Sequence, residues 1–192
     1  PDNFLNVGVA EQNMIGVASG MALLDRKPFC YSIGNFSTLR CLEQIRNDAA
    51  YHSLNVSIVS NGGGFSYGGL GVTHHATEDV SVMLSIPEIE TLTPSTDEEV
   101  RRLTTYACKN NKTKYLRLDK SFVKERPLDC EISSTKLFKS GKDLTILCYG
   151  SILEEAINLS NMFPQKEIGI VTVPIISSLT EENLRSIVGE RK

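Results

Sequence analysis

Apolar residues recur in this sequence with two different periods, and the two kinds of segment alternate. Short apolar runs typical of buried strands lie at 29–33, 56–60, 89–92 and 115–118. Amphipathic segments with apolar residues three or four positions apart predict helices at 10–24, 39–52 and 96–109. Thr96 and Glu99 form a capping-box pattern at the start of the third helix. Strands that alternate with helices predict an α/β fold in which a parallel sheet has helices on both faces.

The character of the sequence changes after residue 121. Segment 122–142 is polar and contains Pro127, so we interpret it as a linker, with one short strand at 135–138. A second alternating pattern follows, with strands at 144–149 and 168–173 and helices at 153–162 and 181–188. We therefore predict one α/β domain over 1–121 and the truncated start of a second over 143–192. The chain begins without methionine and stops soon after its last predicted helix, so we expect a piece of a longer polypeptide.

Composition disfavours several classes of protein. The net charge is −3 and basic residues are not in excess, so no nucleic-acid partner is expected. The longest apolar runs, such as 144–149, are too short to cross a bilayer, so no membrane segment is expected. The five cysteines form no Cys-x-x-Cys pair, which indicates a reduced, cytoplasmic setting and disfavours a metal site built on them.

A glycine-rich segment, 61–75, follows the strand at 56–60 and ends in His74 and His75. Glycines serve where the backbone takes a positive φ or approaches another group closely. Their spacing here matches neither the dinucleotide fingerprint nor the phosphate loop, which disfavours both kinds of nucleotide site. Adjacent histidines cannot both face one metal ion in regular structure, and no third ligand stands at zinc spacing. One histidine is a candidate for binding a polar substrate; a mobile loop with solvated histidines is the alternative.

Glu11 is the most informative single residue. It follows Gly8 and a short apolar stretch, and it enters a helix whose many small residues allow close packing. A carboxylate at such a crowded junction needs a partner, because an unpaired buried charge is costly. Position alone favours an ordinary first-turn acid stabilised by the helix dipole. A functional carboxylate is the second interpretation.

The segment around Glu11, residues 7–13 (Val-Gly-Val-Ala-Glu-Gln-Asn), resembles the one that carries the catalytic glutamate in the transketolase family of thiamine diphosphate enzymes. The resemblance continues in order through 32–40, 43–48, 71–75, 92–99 and 115–118. It covers the pyrimidine-binding domain, without its first strand and helix, and the opening of the C-terminal domain. Several motifs in the right order make a more specific signal than any one of them.

The resemblance implies that thiamine diphosphate is the cofactor and that Glu11 is catalytic. The Glu11 carboxyl group would hydrogen-bond N1′ of the aminopyrimidine ring, which favours the tautomer that takes the proton from C2. Phe36 corresponds to the aromatic residue that stacks on this ring, and Arg40 falls within the same cofactor-binding segment. Ile33 stands where relatives often place a second aromatic residue, so one wall of the pocket would be aliphatic.

On the substrate side, the resemblance makes His74 catalytic and substrate-binding, through the hydroxyls or carbonyl of a small sugar. Lys120 lies near an arginine that anchors substrate phosphate in relatives; an exposed lysine at a strand end is the alternative. Relatives acting on sugar phosphates usually read Asp-Gly-Pro-Thr-His where residues 70–74 read Leu-Gly-Val-Thr-His. Loss of the acidic residue puts ordinary pentose-phosphate specificity in doubt.

The family's diphosphate and Mg²⁺ segment, Gly-Asp-Gly…Asn, is absent from this sequence. The resemblance therefore implies that the Mg²⁺ ligands belong to a separate N-terminal transketolase section and that this chain has none. It also implies a homodimer or heterotetramer, since family sites form between two chains. We expect this chain to be inactive alone.

Four functions follow from the resemblance. The leading one is a thiamine diphosphate-dependent, transketolase-like subunit that transfers a two-carbon ketol unit. A carboligase similar to 1-deoxyxylulose-5-phosphate synthase is favoured by Lys27-Pro28 and opposed by Leu70 and a missing Arg-x-Pro-Arg pattern. A β subunit of a 2-oxo acid dehydrogenase fits the Gly-Val-Thr-His loop less well. A non-catalytic regulatory subunit would keep the fold, but retention of Glu11, Phe36 and His74 opposes it.

Overall fold

The first sheet is built from four parallel strands. The computed structural model describes residues 3–120, 122–124 and 132–188. Within them the strands are β1 (Phe29–Ile33), β2 (Ser57–Asn61), β3 (Ile89–Leu92) and β4 (Thr113–Leu118). Their order is β1-β2-β4-β3, and every neighbouring pair is parallel. All of β3 and most of β2 are buried, as expected of a parallel sheet covered on both faces. The predicted fold class is confirmed.

Helices cover this sheet. The predictions at 10–24 and 96–109 are confirmed as α1 (Glu11–Leu23) and, further along, a helix at Asp97–Lys109. The helix predicted at 39–52 is confirmed in position, since 39–50 is helical, but it is not one regular α-helix. Helical structure begins earlier, at α2 (Gly34–Ser37), and continues through a 3₁₀ turn (Leu39–Cys41), α3 (Leu42–Gln44) and a π-helix (Ile45–Ala50).

Thr38 separates α2 from the helical turns that follow it. Its backbone leaves the helical region, with φ −118° and ψ −86°, and its hydroxyl donates to the Gly34 carbonyl at 2.7 Å. Such side-chain bonds to the preceding turn compete with the regular helical ladder. A further helix, α4 (Asp79–Leu84), was not predicted, because six residues are too few to show a helical period.

The helix at Asp97–Lys109, α5, begins at the predicted capping residue. The Thr96 hydroxyl accepts a hydrogen bond from the Glu99 amide at 3.2 Å. The return bond of the capping box is shifted, because the Glu99 carboxyl group accepts from the Ser95 amide at 2.7 Å. Its other oxygen accepts from the Thr172 hydroxyl at 2.7 Å, so this buried side chain joins α5 to the second half of the chain.

The second half contains a three-stranded sheet in the order β5-β7-β6. Its elements are β5 (Lys136–Lys139), β6 (Leu144–Cys148), α6 (Ile152–Met162), β7 (Ile168–Thr172) and α7 (Glu181–Val188). All five were predicted to within a residue or two. The strand placed inside the linker is an edge strand of this sheet, paired antiparallel to β7, whereas β6 and β7 are parallel. The linker's residues 125–131 lie outside the described residues, and the domain boundaries stay a prediction.

The two sheets are joined along β3. The Thr93 amide donates to the Pro174 carbonyl at 2.8 Å, and the Thr93 hydroxyl donates to the Val173 carbonyl at 2.6 Å. Leu92 pairs with Ile175 as an isolated bridge, and both side chains belong to one buried cluster with residues of α5 and β4. The segment after β7 therefore completes the core of the first sheet.

Composition raised two points on which the structure bears, the state of the cysteines and a membrane-spanning segment. Cys30, Cys41, Cys108 and Cys148 are all free thiols; Cys130 lies outside the described residues. Burial, with the neighbouring Cys41 as a smaller cause, raises the pKa of Cys30 to about 12, so this thiol stays protonated and unreactive. Among the described residues, no helix combines the length and apolar character needed to cross a membrane.

We expect Glu99→Ala to lower the free energy of unfolding by about 2–4 kcal/mol, because two buried donors lose a charged-group acceptor and a cavity forms. The loss is measured by urea unfolding. The matched control is Glu98→Ala on the next position, where the carboxylate makes only a half-exposed bond to Arg102. We expect that change to cost about 0.5 kcal/mol. Equal losses in the two variants would contradict the assigned role of Glu99.

Candidate active site

The carboxyl ends of three neighbouring strands lie side by side. Ile33 at the end of β1 pairs with Asn61 at the end of β2, and Asn61 pairs with Leu118 at the end of β4. In open α/β sheets, ligands bind in the crevice at this edge. The segments that leave these strands are α2, the glycine-rich loop (residues 62–75) and the short stretch that contains Lys120.

Glu11 is the first residue of α1, and its carboxylate points to this edge. The side chain is 12% exposed; it accepts a hydrogen bond from Arg40 Nη1 at 2.9 Å and a longer one from Ser32 Oγ at 3.4 Å. Burial alone would raise the pKa of Glu11, but the hydrogen bond and charge of Arg40, helped by Ser32 and its own amide, outweigh burial and lower it. Glu11 is therefore a charged acceptor held at a helix N-terminus.

Arg40 connects Glu11 to Phe36. Its guanidinium carbon lies 4.1 Å from the centroid of the Phe36 ring, while Nη1 donates to the Glu11 carboxylate. A flat, cationic group with N–H donors thus lies on the face of an aromatic ring and hydrogen-bonds a carboxylate at its edge. The Arg40 side chain is 43% exposed, so the space it fills is open to solvent.

The glycine-rich loop brings His74 to the same place. Asn35 of α2 donates its side-chain amide to the Thr73 carbonyl at 2.9 Å, which fixes the end of the loop. The His74 ring meets the Phe36 ring edge-on, with centroids 5.0 Å apart. Its Nδ1 lies 3.0 Å from the Thr73 hydroxyl, so Nε2 is the ring nitrogen available to a bound molecule. His75 turns away, with Nε2 3.2 Å from the Gly68 carbonyl.

Tyr67 lies between His74 and Lys120. Its ring centroid is 6.4 Å from that of His74, and the Lys120 Nζ lies 3.8 Å from it on the ring face. The Tyr67 hydroxyl accepts from the Asn61 side-chain amide at 3.2 Å. Gly62 has φ +89°, and a Cβ there would lie 2.1 Å from a Tyr67 ring carbon, so only glycine lets this ring pack.

The structure brings the predicted site residues together. Glu11, Arg40, Phe36 and His74 form an unbroken series of contacts, and Lys120 joins through Tyr67. Ile33 ends β1 directly before α2; it is half-buried, and its carbonyl accepts from the Ser37 hydroxyl at 3.3 Å. Their individual roles stay predictions.

Sequence reasoning missed Ser32 and Tyr67. Ser32 lies in the middle of a strand, where only the fold shows that it faces α1. Tyr67 carried one usable signal, since it is one of two large aromatic residues inside a glycine-rich loop. Over the described parts of the chain, no three His, Cys, Asp or Glu side chains are grouped so that they could hold a metal ion.

Comparison with known proteins places the chain in a family and gives its similarity to individual relatives. Residues 1–125 match the family described as "Transketolase, pyrimidine binding domain". The chain is 30% identical over 197 residues to an apulose-4-phosphate transketolase subunit of Actinobacillus succinogenes, covering 100% of this chain and 63% of that protein. It is 31% identical over 192 residues to the 6-deoxy-6-sulfo-D-fructose transketolase subunit SqwH of Clostridium sp., covering 95% of this chain and 58% of that one.

Among solved structures, a split-gene transketolase described as an inactive β4 tetramer superimposes with a TM-score of 0.83 at 28% identity. The match covers 97% of this chain and 62% of that chain. This chain therefore spans about 60% of the length of the relatives that it matches.

We expect Arg40→Met to change how stability depends on acid. The lowered pKa of Glu11 means that this carboxylate stabilises the fold above its ordinary pKa of 4.5 and loses that contribution as the pH falls through its folded value. Without Arg40, burial is opposed only by the Glu11 amide and Ser32, so we expect the pKa of Glu11 to rise from its folded value. The variant should then lose less stability than the wild type between about pH 5 and about pH 3.

This prediction is measured by urea unfolding at each pH. Arg46→Met is the control, because the Arg46 guanidinium bonds the Asn47 side chain on an exposed part of the π-helix. Identical acid dependence in wild type and Arg40→Met would show that the Glu11–Arg40 pair has no such effect.

Proposed function

The chain belongs to the transketolase family through its pyrimidine-binding domain, and we propose that it is a subunit of a thiamine diphosphate-dependent enzyme. The proposed reaction transfers a two-carbon ketol unit between sugar or sugar-phosphate substrates. One observation carries the proposal: the Glu11 carboxylate and the Phe36 ring hold a flat, nitrogen-bearing cation between them. That is the set of contacts that an aminopyrimidine ring requires.

The residues present fit this cofactor. When bound, thiamine diphosphate supplies the carbon nucleophile that the side chains of a protein lack. Glu11 would accept a hydrogen bond from N1′ of the pyrimidine and hold the proton there. Phe36 would stack on the ring, and Ile33 would line its surroundings. Because Arg40 lies on the Phe36 face, its guanidinium must move aside while it stays within reach of Glu11.

His74 and Lys120 would act on the substrate. His74 Nε2 is placed to bind a hydroxyl or carbonyl oxygen next to Phe36. Lys120 is an exposed point charge on the Tyr67 face, suited to an anionic group at the far end of a sugar. Two relatives are named for apulose-4-phosphate and 6-deoxy-6-sulfo-D-fructose, both of which carry such a group. These two compounds are therefore the first donors to test.

A separate N-terminal section would complete the site. We expect it to bind the diphosphate and Mg²⁺ and to associate with this chain in a homodimer-like or heterotetrameric assembly. The relatives called subunits, and a split-gene transketolase described as an inactive β4 tetramer, support this division. Free thiols at four described cysteines suit the cytoplasmic setting that we propose.

A carboligase of the 1-deoxyxylulose-5-phosphate synthase type is the second candidate. It would use the same Glu11 and Phe36 but release carbon dioxide from a 2-oxo acid donor. Leu70 in the loop and the missing Arg-x-Pro-Arg pattern after β4 favour the ketol-transfer assignment. A regulatory subunit that keeps only the fold is the third candidate, and it predicts no activation of the cofactor.

We expect Glu11→Gln to slow hydrogen–deuterium exchange at C2 of thiamine diphosphate by about 100-fold, because an amide oxygen is far less basic than a carboxylate and cannot hold the N1′ proton. Exchange is followed by NMR in the complete chain with its N-terminal partner and Mg²⁺. Glu43→Gln makes the same chemical change at an exposed position on α3 and should leave exchange unaltered.

Each result decides between candidates. Fast exchange in the wild type, lost in Glu11→Gln, supports a working cofactor site, and donors then separate ketol transfer from carboligation. Exchange no faster than in free cofactor, with the partner confirmed bound, would favour the regulatory subunit. Any turnover by this chain without its partner would contradict the proposed division of the site.

A further inference from the structure

Arg117, at the carboxyl end of β4, lies between two backbone segments, the glycine-rich loop and the turn before α6. A Cβ at Gly63 of the glycine-rich loop would lie 2.0 Å from the Arg117 guanidinium carbon. A Cβ at Gly150, before α6, would lie 3.3 Å from Arg117 Nη1. Both glycines therefore allow the backbone to rest against the guanidinium. Gly150 also has φ +66°, a conformation that other residues rarely adopt.

Two buried carboxylates hold the guanidinium in place. Arg117 Nε donates to Asp79 of α4 at 2.9 Å, and Nη1 donates to Asp119 at 3.2 Å. The three side chains are 10%, 2% and 4% exposed, respectively. Burial would lower the pKa of Arg117, but Asp79 and Asp119 outweigh it and raise it. The Tyr115 hydroxyl donates to the same Asp79 oxygen at 2.5 Å, which gives that carboxylate a second hydrogen bond from β4.

Asp119 extends this cluster into the second sheet. Its Oδ2 accepts a hydrogen bond from the Ser151 amide at 2.7 Å, at the residue that caps the N-terminus of α6. A Cβ at Gly150 would lie 2.5 Å from that oxygen, so the approach is close. One carboxylate thus bonds the guanidinium on one side and a helix start on the other. Arg117 and Asp119 line a cavity of about 790 Å³ together with residues of β6 and α6.

The glycine-rich loop is anchored to the rest of the first domain at three other places, of which the bond from the Asn35 side chain to the Thr73 carbonyl was described above. Its start is held by the bond from the Gly62 amide to the Leu118 carbonyl at 2.8 Å. Gly64 pairs with Ala76 across the base of the loop, next to the Arg117 contact. Residues 68–73 between these points are exposed. Inside the loop the backbone bonds are short-range turns, such as the one from the Leu70 amide to the Tyr67 carbonyl, so contacts like that of Arg117 determine where the loop lies on the sheet.

We propose that Arg117 is a positioning residue. Asp119 and the second sheet fix the Arg117 guanidinium, and the guanidinium in turn fixes the position of the glycine-rich loop and of His74. The part concerning His74 rests on the proposed function; the part concerning the loop does not. Arg117 contacts no group assigned to cofactor or substrate, and it acts through the backbone at Gly63. The second sheet then affects substrate handling without contributing a side chain to the site.

The test variant is Asp119→Asn. The asparagine side chain has only one acceptor oxygen, whereas both Arg117 and the Ser151 amide are donors. Its NH₂ group must therefore face one of these donors, and that hydrogen bond is lost. Glu155→Gln is the control, because it makes the same change on an exposed residue of α6 that lines the same cavity. Both are compared with the wild type as full chains, well below their melting temperatures.

The first readout is amide hydrogen exchange measured by mass spectrometry. In Asp119→Asn, peptides covering 62–76 should exchange about fivefold faster, the factor expected when one buried hydrogen bond is lost. Peptides from α5 should not change, and Glu155→Gln should match the wild type throughout. Unchanged exchange at 62–76 would overturn the proposal, whatever the chain catalyses.

The second readout separates positioning from general damage in the complex with the N-terminal partner. With apulose 4-phosphate as donor probe, Asp119→Asn should lower kcat/KM by about 10-fold or more, since small misplacements of a catalytic group are costly. The rate of cofactor C2 exchange, which depends on Glu11, should stay within about twofold of the wild type. Equal losses in both rates would overturn the link to His74. Absence of C2 exchange in the wild type would contradict the proposed function and leave the loop measurement decisive.

Discussion

Parallel pairing of β1, β2 and β4 is the constraint on which the candidate site depends. Because the strands run in one direction, the chain leaves all three at the same edge, and residues far apart in sequence meet there. Phe36 follows the first strand, Tyr67 and His74 follow the second, and Lys120 follows the fourth. Glu11 reaches that edge from a helix that precedes the sheet. A shift in register would separate these groups even if every element kept its own structure.

Three charged side chains of the described residues lie where elements meet. Glu11 joins α1 to the turn that carries Arg40, Glu99 joins α5 to β7, and Arg117 joins β4 to α4 and to the glycine-rich loop. Each has hydrogen-bond partners on more than one element, which offsets the cost of removing a charge from water. An apolar side chain at these places would leave buried partners without a hydrogen bond and would fix no particular orientation. The charges therefore fix how the elements that they join lie relative to one another.

Much of the fold could be predicted from the apolar pattern, because each buried strand is a short apolar run and each long helix repeats its period several times. The segment at 39–52 is helical as predicted, but its change from a 3₁₀ turn to a π-helix leaves no mark on that period. In the site, Glu11, Phe36 and His74 were found through motifs. Ser32, Tyr67 and the Arg117 cluster were not, because their importance comes from contacts between segments that no local pattern encodes.

The capping of α5 has a consequence for the order in which the chain folds. Thr96 can bond the Glu99 amide as soon as that turn forms. Thr172, whose hydroxyl donates to the Glu99 carboxyl group, lies 73 residues further along the chain. The hydrogen bond from the Thr93 hydroxyl likewise needs the Val173 carbonyl, 80 residues away. On the ribosome, the first sheet emerges with one edge and one helix start still incomplete. Contacts of such long range slow folding, so this edge should be the last part of the core to close during synthesis.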